Sequence, residues 1–265
     1  MTDFRLTPDP ALVRQNEPGQ IIVPVTDLCR VPAGPRDRQA IFGDHLTILA
    51  KVDGWCYVQL NKDGYCGFVA ETAIGAQTQP THTVNAPATH AYLEPDLKSP
   101  DQTSLTFGSL ITVLAQDNDF AHTTLGYIPM QHLGPIGTVT SDLGDIAELF
   151  LGTPYLWGGN SRWGIDCSGL IQAACLACGV PCPGDSDQQL QLLGGHLSAD
   201  SDFKRGDFLF WKGHIALVLE PNLLIHANAH KMAVTLEPIS EAVDRIAKTD
   251  GAMTGHKRIT SSKWS

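Results

Sequence analysis

The segment WGIDCSGLIQAACLACGV, Trp163 to Val180, carries a cysteine between Asp166 and Ser168-Gly169, and a C-x-x-C pair at Cys175 and Cys178. A thiol attacks as thiolate, and the free N–H groups and dipole of a helix start favour that anion. The apolar run after Asp166 reads as a helix, with Asp166 at its cap, Gly179 just past its end and Pro181 as its stop. Cys167 then occupies the first turn, where its thiol is expected to acidify. Small Ser168 and Gly169 would leave room for a substrate. Cys175 and Cys178 fall toward the other end, where the dipole has the wrong sign. A redox pair belongs at a helix start, and a zinc site needs more ligands than Cys182 supplies. Both are therefore read as small buried hydrophobes.

A nucleophilic thiol needs a base, and the base needs a group to orient it. His214 opens the apolar run HIALVLE, and His226 lies inside LLIHANA. The turn Glu220-Pro221-Asn222 between them can lay the two runs side by side as a hairpin. His214 would take the thiol proton, and His226 would hold its ring. A lone histidine on an apolar strand is usually a core residue, but two on neighbouring strands downstream of a helix-start cysteine favour chemistry. His230 makes an H-x-x-x-H spacing with His226, which binds metal on a helix. Here the segment reads as strand, and no metal is expected.

These residues need a scaffold. SDLGDIAELFLG reads as a first helix, capped by Ser141 or Asp142, with Ile146, Leu149 and Phe150 on one face. DFLFW, HIALVLE and LLIHANA are short strands separated by turns. Helices followed by a strand meander give an α+β domain with an antiparallel sheet, placed at residues 138–265. Upstream, residues 25–75 and 88–134 resemble each other. Each has an early proline turn (Pro32, Pro95), then Phe-Gly before an apolar strand (Phe42-Gly43, Phe107-Gly108). Each closes on Gly-aromatic-β-branched, Gly67-Phe68-Val69 and Gly126-Tyr127-Ile128. Two small β-barrels are expected, at 15–76 and 84–136, joined by the polar linker AQTQPTHTVNAP. Cys56 and Cys66 could face each other across a hairpin of the first.

The net charge of −10 argues against nucleic acid or an anionic membrane as partner. No apolar run approaches the ~20 residues of a membrane-spanning helix. MTDFRLTPDPALVRQ lacks a basic stretch followed by an apolar one, so a cytoplasmic location is expected.

GTPYLWGGNSRWGIDCSGLIQAA, FKRGDFLFWKGHIALVLE and LLIHANA, in that order, resemble the NlpC/p60 family of bacterial cell-wall cysteine peptidases. The resemblance covers roughly residues 138–260. It implies a papain-like α+β domain preceded by bacterial SH3-type barrels. It also implies Cys167 as nucleophile, His214 as base, His226 as orienting residue and Tyr155 as a hydroxyl donor at the oxyanion. No cofactor is implied.

Two barrels ahead of such a domain are similar to a narrower group, the γ-D-glutamyl-L-diamino acid endopeptidases of the dipeptidyl-peptidase VI type. Their substrates are murein-derived peptides, cleaved after an N-terminal L-Ala-γ-D-Glu, in cell-wall peptide recycling. PCPGDSDQQL matches the group's amine-binding stretch and puts Asp185 and Ser186 in binding positions, with Gly184 in place of an arginine. Asp166 and Ser168 are expected to line the same site. Tyr65 would wall it off from the first barrel, with Asp37 or Asp44 as the accompanying acid. Arg162, Arg205 and Lys212 are the nearby bases available to an anionic substrate. Two other readings remain: an N-acetylmuramoyl-L-alanine amidase or other acyl transfer on peptidoglycan, and a non-catalytic wall-binding protein.

Overall fold

The computed structural model describes residues 3–198 and 200–259. The chain divides between Thr138 and Val139 into two compact units.

The first unit holds both barrels. Strands β1 (Glu17–Ile21), β2 (Val25–Cys29), β3 (Arg36–Ile41), β4 (His45–Val52), β5 (Trp55–Leu60), β6 (Cys66–Ala70) and β7 (Ile74–Gly75) form one antiparallel sheet in the order β3-β2-β6-β5-β4-β1-β7. Alternation turns Ile21, Leu28, Leu46, Val58 and Val69 inward to a common core. Cys56 pairs in register with Val69, and Cys66 with Gln59. The two thiols therefore do not face each other across this hairpin, contrary to expectation.

The second barrel begins inside the segment expected to be a linker, because His82–Val84 is itself a strand, β8. It pairs with β11 (Leu110–Ile111) and β15 (Leu133–Pro135). Strands β9 (Ala88–Tyr92), β10 (Asp101–Thr106), β12 (Val113–Asp117), β13 (Phe120–Thr123) and β14 (Gly126–Pro129) form the other sheet. The barrels are not independent modules. Phe42 of the first lies in the core of the second, and its carbonyl accepts from Leu110 N at 3.1 Å. Gly43 makes this approach possible: its φ is +83°, and a Cβ there would lie 2.4 Å from the Leu110 carbonyl oxygen. The outward faces of β9, β13 and β14 carry a row of rings, with His122 stacked on Tyr127 and Phe120 edge-on to Tyr92.

The second unit is α+β. Helix α1 (Leu143–Glu148) is capped by Asp142 rather than Ser141, with the Asp142 carboxylate accepting from Gly144 N and Asp145 N. Arg205 then ties the helix down through Asp142, Asp145 and Glu148. A short ribbon of β16 (Asn160–Ser161) and β17 (Gly164–Ile165) leads into α2 (Cys167–Ala177). That helix ends in a Schellman motif: Gly179 has φ +69°, Val180 N donates to Cys175 O, and Gly179 N donates to Leu176 O. Helix α3 (Ser186–Leu192) follows.

The sheet is antiparallel and comprises β18 (Gly195–His196), β19 (Phe208–Trp211), β20 (His214–Glu220), β21 (Leu223–Asn228), β22 (Ala233–Pro238) and β23 (Gly255–Arg258). The order is β18-β23-β19-β20-β21-β22. Helix α4 (Ile239–Ala247) covers one face, burying Ile239, Ala242 and Ile246 against Leu209, Val218 and Leu224. Helix α2 packs on β20 and β21.

One buried carboxylate fastens β19 to β23. Asp207 is fully buried and accepts from His256 Nε2 at 2.8 Å and Arg258 Nη2 at 2.6 Å. Burial alone would raise its pKa, but Arg258 and His256 outweigh that and hold it below the usual carboxylate range. Asp207→Ala takes the carboxylate away from both Arg258 and His256. The expected loss is about 3 kcal/mol, the low end for a buried pair because Arg258 stays partly in water. Urea unfolding measures it through the midpoint.

Candidate active site

The start of α2 is built around Asp166. One carboxylate oxygen accepts from Gly169 N at 2.6 Å and from the Ser168 hydroxyl at 3.0 Å. The other accepts from Gly158 N at 3.0 Å, which draws the Tyr155–Gly159 loop onto the helix. Asp166 and Ser168 are both buried and bonded to each other. In this structure their polar atoms brace the helix start. The room at Gly169 is used by the chain itself, since a Cβ there would lie 2.5 Å from the Gly159 carbonyl oxygen. Gln189, fully buried, adds a brace by donating to Ser168 O and Pro183 O, each at 2.9 Å.

This frame fixes Cys167, which is 7% exposed. Its Sγ lies 4.0 Å from Gly213 O and is met by the Ile215 backbone N–H. The thiol thus sits against the two residues that flank His214 in the chain. His214 Nε2 lies 2.9 Å from His226 Nδ1, with the rings edge to face. His226 Nε2, fully buried, lies 2.9 Å from Glu237 Oε2. That contact is close enough for a charge pair, though off-line for an ideal hydrogen bond. Arg245 from α4 grips both oxygens of Glu237, at 2.9 and 2.6 Å. The row His214, His226, Glu237, Arg245 therefore crosses three strands and ends on a helix.

Sequence reasoning stopped at His226 and missed the last two members. The available signal was alternation. Thr235 pairs with His226, and Glu237, two residues on, shares its face of β22.

The remaining expected residues sit on different elements. Tyr155 lies on the loop held by Asp166, and its hydroxyl pKa rises through burial and through the nearby Cys167 and Asp166. Asp185 and Ser186 begin α3, where Asp185 and Gln188 form a capping box. Both are half-buried. Tyr65, expected to wall off the site, is 1% exposed in the first barrel's core, with Arg38 over its ring. Asp37 pairs with Arg30, and buried Asp44 with Lys62.

Among the bases, Arg205 is engaged by α1. Arg162 donates to Phe150 O, Leu151 O and the Thr153 hydroxyl. Lys212 is exposed on the turn before His214. His230 lies exposed in the turn after β21. Among the described residues, no group of three or more His, Cys, Asp or Glu side chains is placed to hold a metal, and no helix is long and apolar enough to cross a membrane.

Residues 152–248 match the model of the NlpC/P60 family, and residues 28–74 match that of the bacterial dipeptidyl-peptidase SH3 domain. The chain carries an NlpC/P60 domain and is a cysteine peptidase. It is 27% identical over 232 residues to the γ-D-glutamyl-L-lysine dipeptidyl-peptidase of Bacillus subtilis, covering 77% of this chain and 76% of that protein. It is also 27% identical to dipeptidyl-peptidase 6 of Lysinibacillus sphaericus, over 77% of this chain and 84% of that one. The crystal structure of an NlpC/P60 family protein from Bacillus cereus superposes with a TM-score of 0.76 at 20% identity, covering 91% of this chain and 99% of that one. That likeness shows the shared fold.

The electrostatics of the peptidase depart from expectation. Burial, followed by the carboxylate of Asp166, pushes the Cys167 thiol up to about 12. Backbone N–H donors pull the other way and lose. Loss of hydration lowers His214 to about 3, with His226 and Arg245 adding to the effect and Glu237 opposing it. Both shifts favour a neutral thiol and a neutral imidazole over a preformed ion pair. A raised thiol pKa keeps the thiolate scarce throughout the neutral range. The Cys167-specific rate of iodoacetamide alkylation, taken as wild type minus Cys167→Ser, should rise about tenfold per pH unit from pH 6 to 10. A plateau below pH 8 would show a resting ion pair instead.

Proposed function

We propose that this peptidase hydrolyses the bond between γ-D-glutamate and the following diamino acid in murein-derived peptides that carry a free N-terminal L-Ala, and that its role is recycling of such peptides. The single observation that carries the chemistry is the seating of the Cys167 thiol against Gly213 and Ile215, with His214 between them bonded to His226. The substrate class is supported by the relatives named γ-D-glutamyl-L-lysine dipeptidyl-peptidase. By definition, a dipeptidyl-peptidase removes two residues from a free N-terminus.

The scaffold is read as papain-like. Cys167 Sγ attacks the γ-carbonyl carbon of glutamate while its proton passes to His214 Nδ1. The tetrahedral oxyanion is met by the Tyr155 hydroxyl and the Cys167 backbone N–H. Collapse breaks the C–N bond, and His214 protonates the departing amine. Water then attacks the thioester, giving its proton to His214, and the thiol leaves reprotonated. Asp185 and Ser186 are the positions proposed to meet the substrate amine, and exposed Lys212 a distal carboxylate. The raised pKa of Tyr155 fits its part, because a hydroxyl that stays protonated remains a donor.

Two experiments follow. L-Ala-γ-D-Glu-L-Lys, its meso-diaminopimelate counterpart and their N-acetylated forms are incubated with enzyme and read by mass spectrometry. Release of L-Ala-D-Glu from the free peptides alone, and none by Cys167→Ser, is the expected result. Equal cleavage of the acetylated peptides would remove the amine requirement and, with it, the recycling role. Tyr155→Phe should lower kcat about 10²-fold with little change in KM, as for loss of one oxyanion donor. An unchanged kcat would take Tyr155 out of the mechanism.

A further inference from the structure

The row beyond His214 contains one group, Glu237, that can only accept a hydrogen bond. We propose that Glu237, held by Arg245, is a positioning residue that fixes the tautomers of both histidines, leaving the lone pair of His214 Nδ1 free to receive the thiol proton. This rests on the reading of His214 as the base.

Arg245 donates from Nε and Nη2 to the two oxygens of Glu237, so the carboxylate is ionised and has no proton to give. Burial alone would raise its pKa, but Arg245 and His226 hold it below the usual range. His226 Nε2 lies 2.9 Å from Oε2. Two lone pairs at that distance repel, so Nε2 carries the hydrogen. His226 rests neutral, pushed down to about 4 chiefly by burial, so its Nδ1 is then an acceptor. His214 Nε2 lies 2.9 Å from that Nδ1 and must be the donor. Neutral His214 is left with its hydrogen on Nε2 and a lone pair on Nδ1.

Without the carboxylate, nothing sets this direction. The hydrogen could sit on His226 Nδ1, which would reverse the histidine–histidine bond and put the hydrogen of His214 on Nδ1, where a base needs a lone pair. The charged and titratable groups facing His226 are His214 on β20, Glu237 on β22, Arg245 on α4 and His230 on the turn. Glu237 is the one anion among them.

The test combines spectroscopy with kinetics. In enzyme carrying 15N-labelled histidine, two-bond 15N–1H spectra of the resting wild type should show His214 and His226 both as Nε2–H tautomers. Nδ1–H on either overturns the proposal, whether or not any variant folds. Glu237→Met should lower kcat about 10–100-fold, the usual cost of losing a group that orients a histidine, with KM within about twofold. It should also bring Nδ1–H signals into His226. Glu237→Asp, which keeps an acceptor, should recover part of kcat. A folded Glu237→Met with unchanged kcat and unchanged tautomers would sink the idea. Cys167→Ala separates the two readings. Retained activity there would refute the thiol mechanism, while the tautomer pattern would still report on Glu237.

Discussion

The placement of Cys167 depends on one buried carboxylate. Asp166 caps α2, takes the Ser168 hydroxyl, and binds Gly158 N, so the helix that carries Cys167 and the loop that carries Tyr155 share one anchor. The same charge also opposes ionisation of the thiol beside it. Positioning and electrostatics therefore pull apart at this residue. The site holds its thiol in place at the expense of its acidity, so in the proposed mechanism the proton moves as attack occurs.

In the proposed mechanism that demand falls on His214, which the sheet holds in a row of polar side chains. Three neighbouring strands bring His214, His226 and Glu237 into one row, and α4 closes the row with Arg245. A buried polar row of this kind is costly unless its members satisfy one another. Here each group has a neighbour of complementary character, from the guanidinium through the carboxylate to two imidazoles. Burial favours the neutral form of both rings, and in the proposed mechanism the carboxylate stabilises the positive charge that forms on His214.

Much of this was legible from local patterns. The Asp166 cap, the Gly179 terminus, the strands around His214 and His226 and the hairpin between them follow from short-range rules of capping and alternation. What could not be read were side-chain directions over long range. Tyr65 sits in a turn-rich stretch that suits a surface, yet it closes the first barrel's core. Arg205 and Arg162 lie near the motifs but turn to helix α1 and the carbonyls at its end. The expected linker hides a strand because three residues, His82–Val84, are too few to show a period. Glu237 lay beyond the last motif, and only strand pairing brings it to His226. Burial opposes the helix-start argument for an acidic thiol: a first-turn dipole is worth up to ~2 kcal/mol, less than the penalty of burying the anion.

The central claim is that Cys167 carries the acyl group between the two half-reactions. Acid-quenching the enzyme within its first turnovers of L-Ala-γ-D-Glu-L-Lys, followed by peptide mass mapping, tests it directly. The account predicts an L-Ala-γ-D-Glu acyl group, joined with loss of lysine, on the peptide that contains Cys167. With turnover under way, an acyl group on another residue, or none when the thioester step is made slow enough to accumulate, would contradict it.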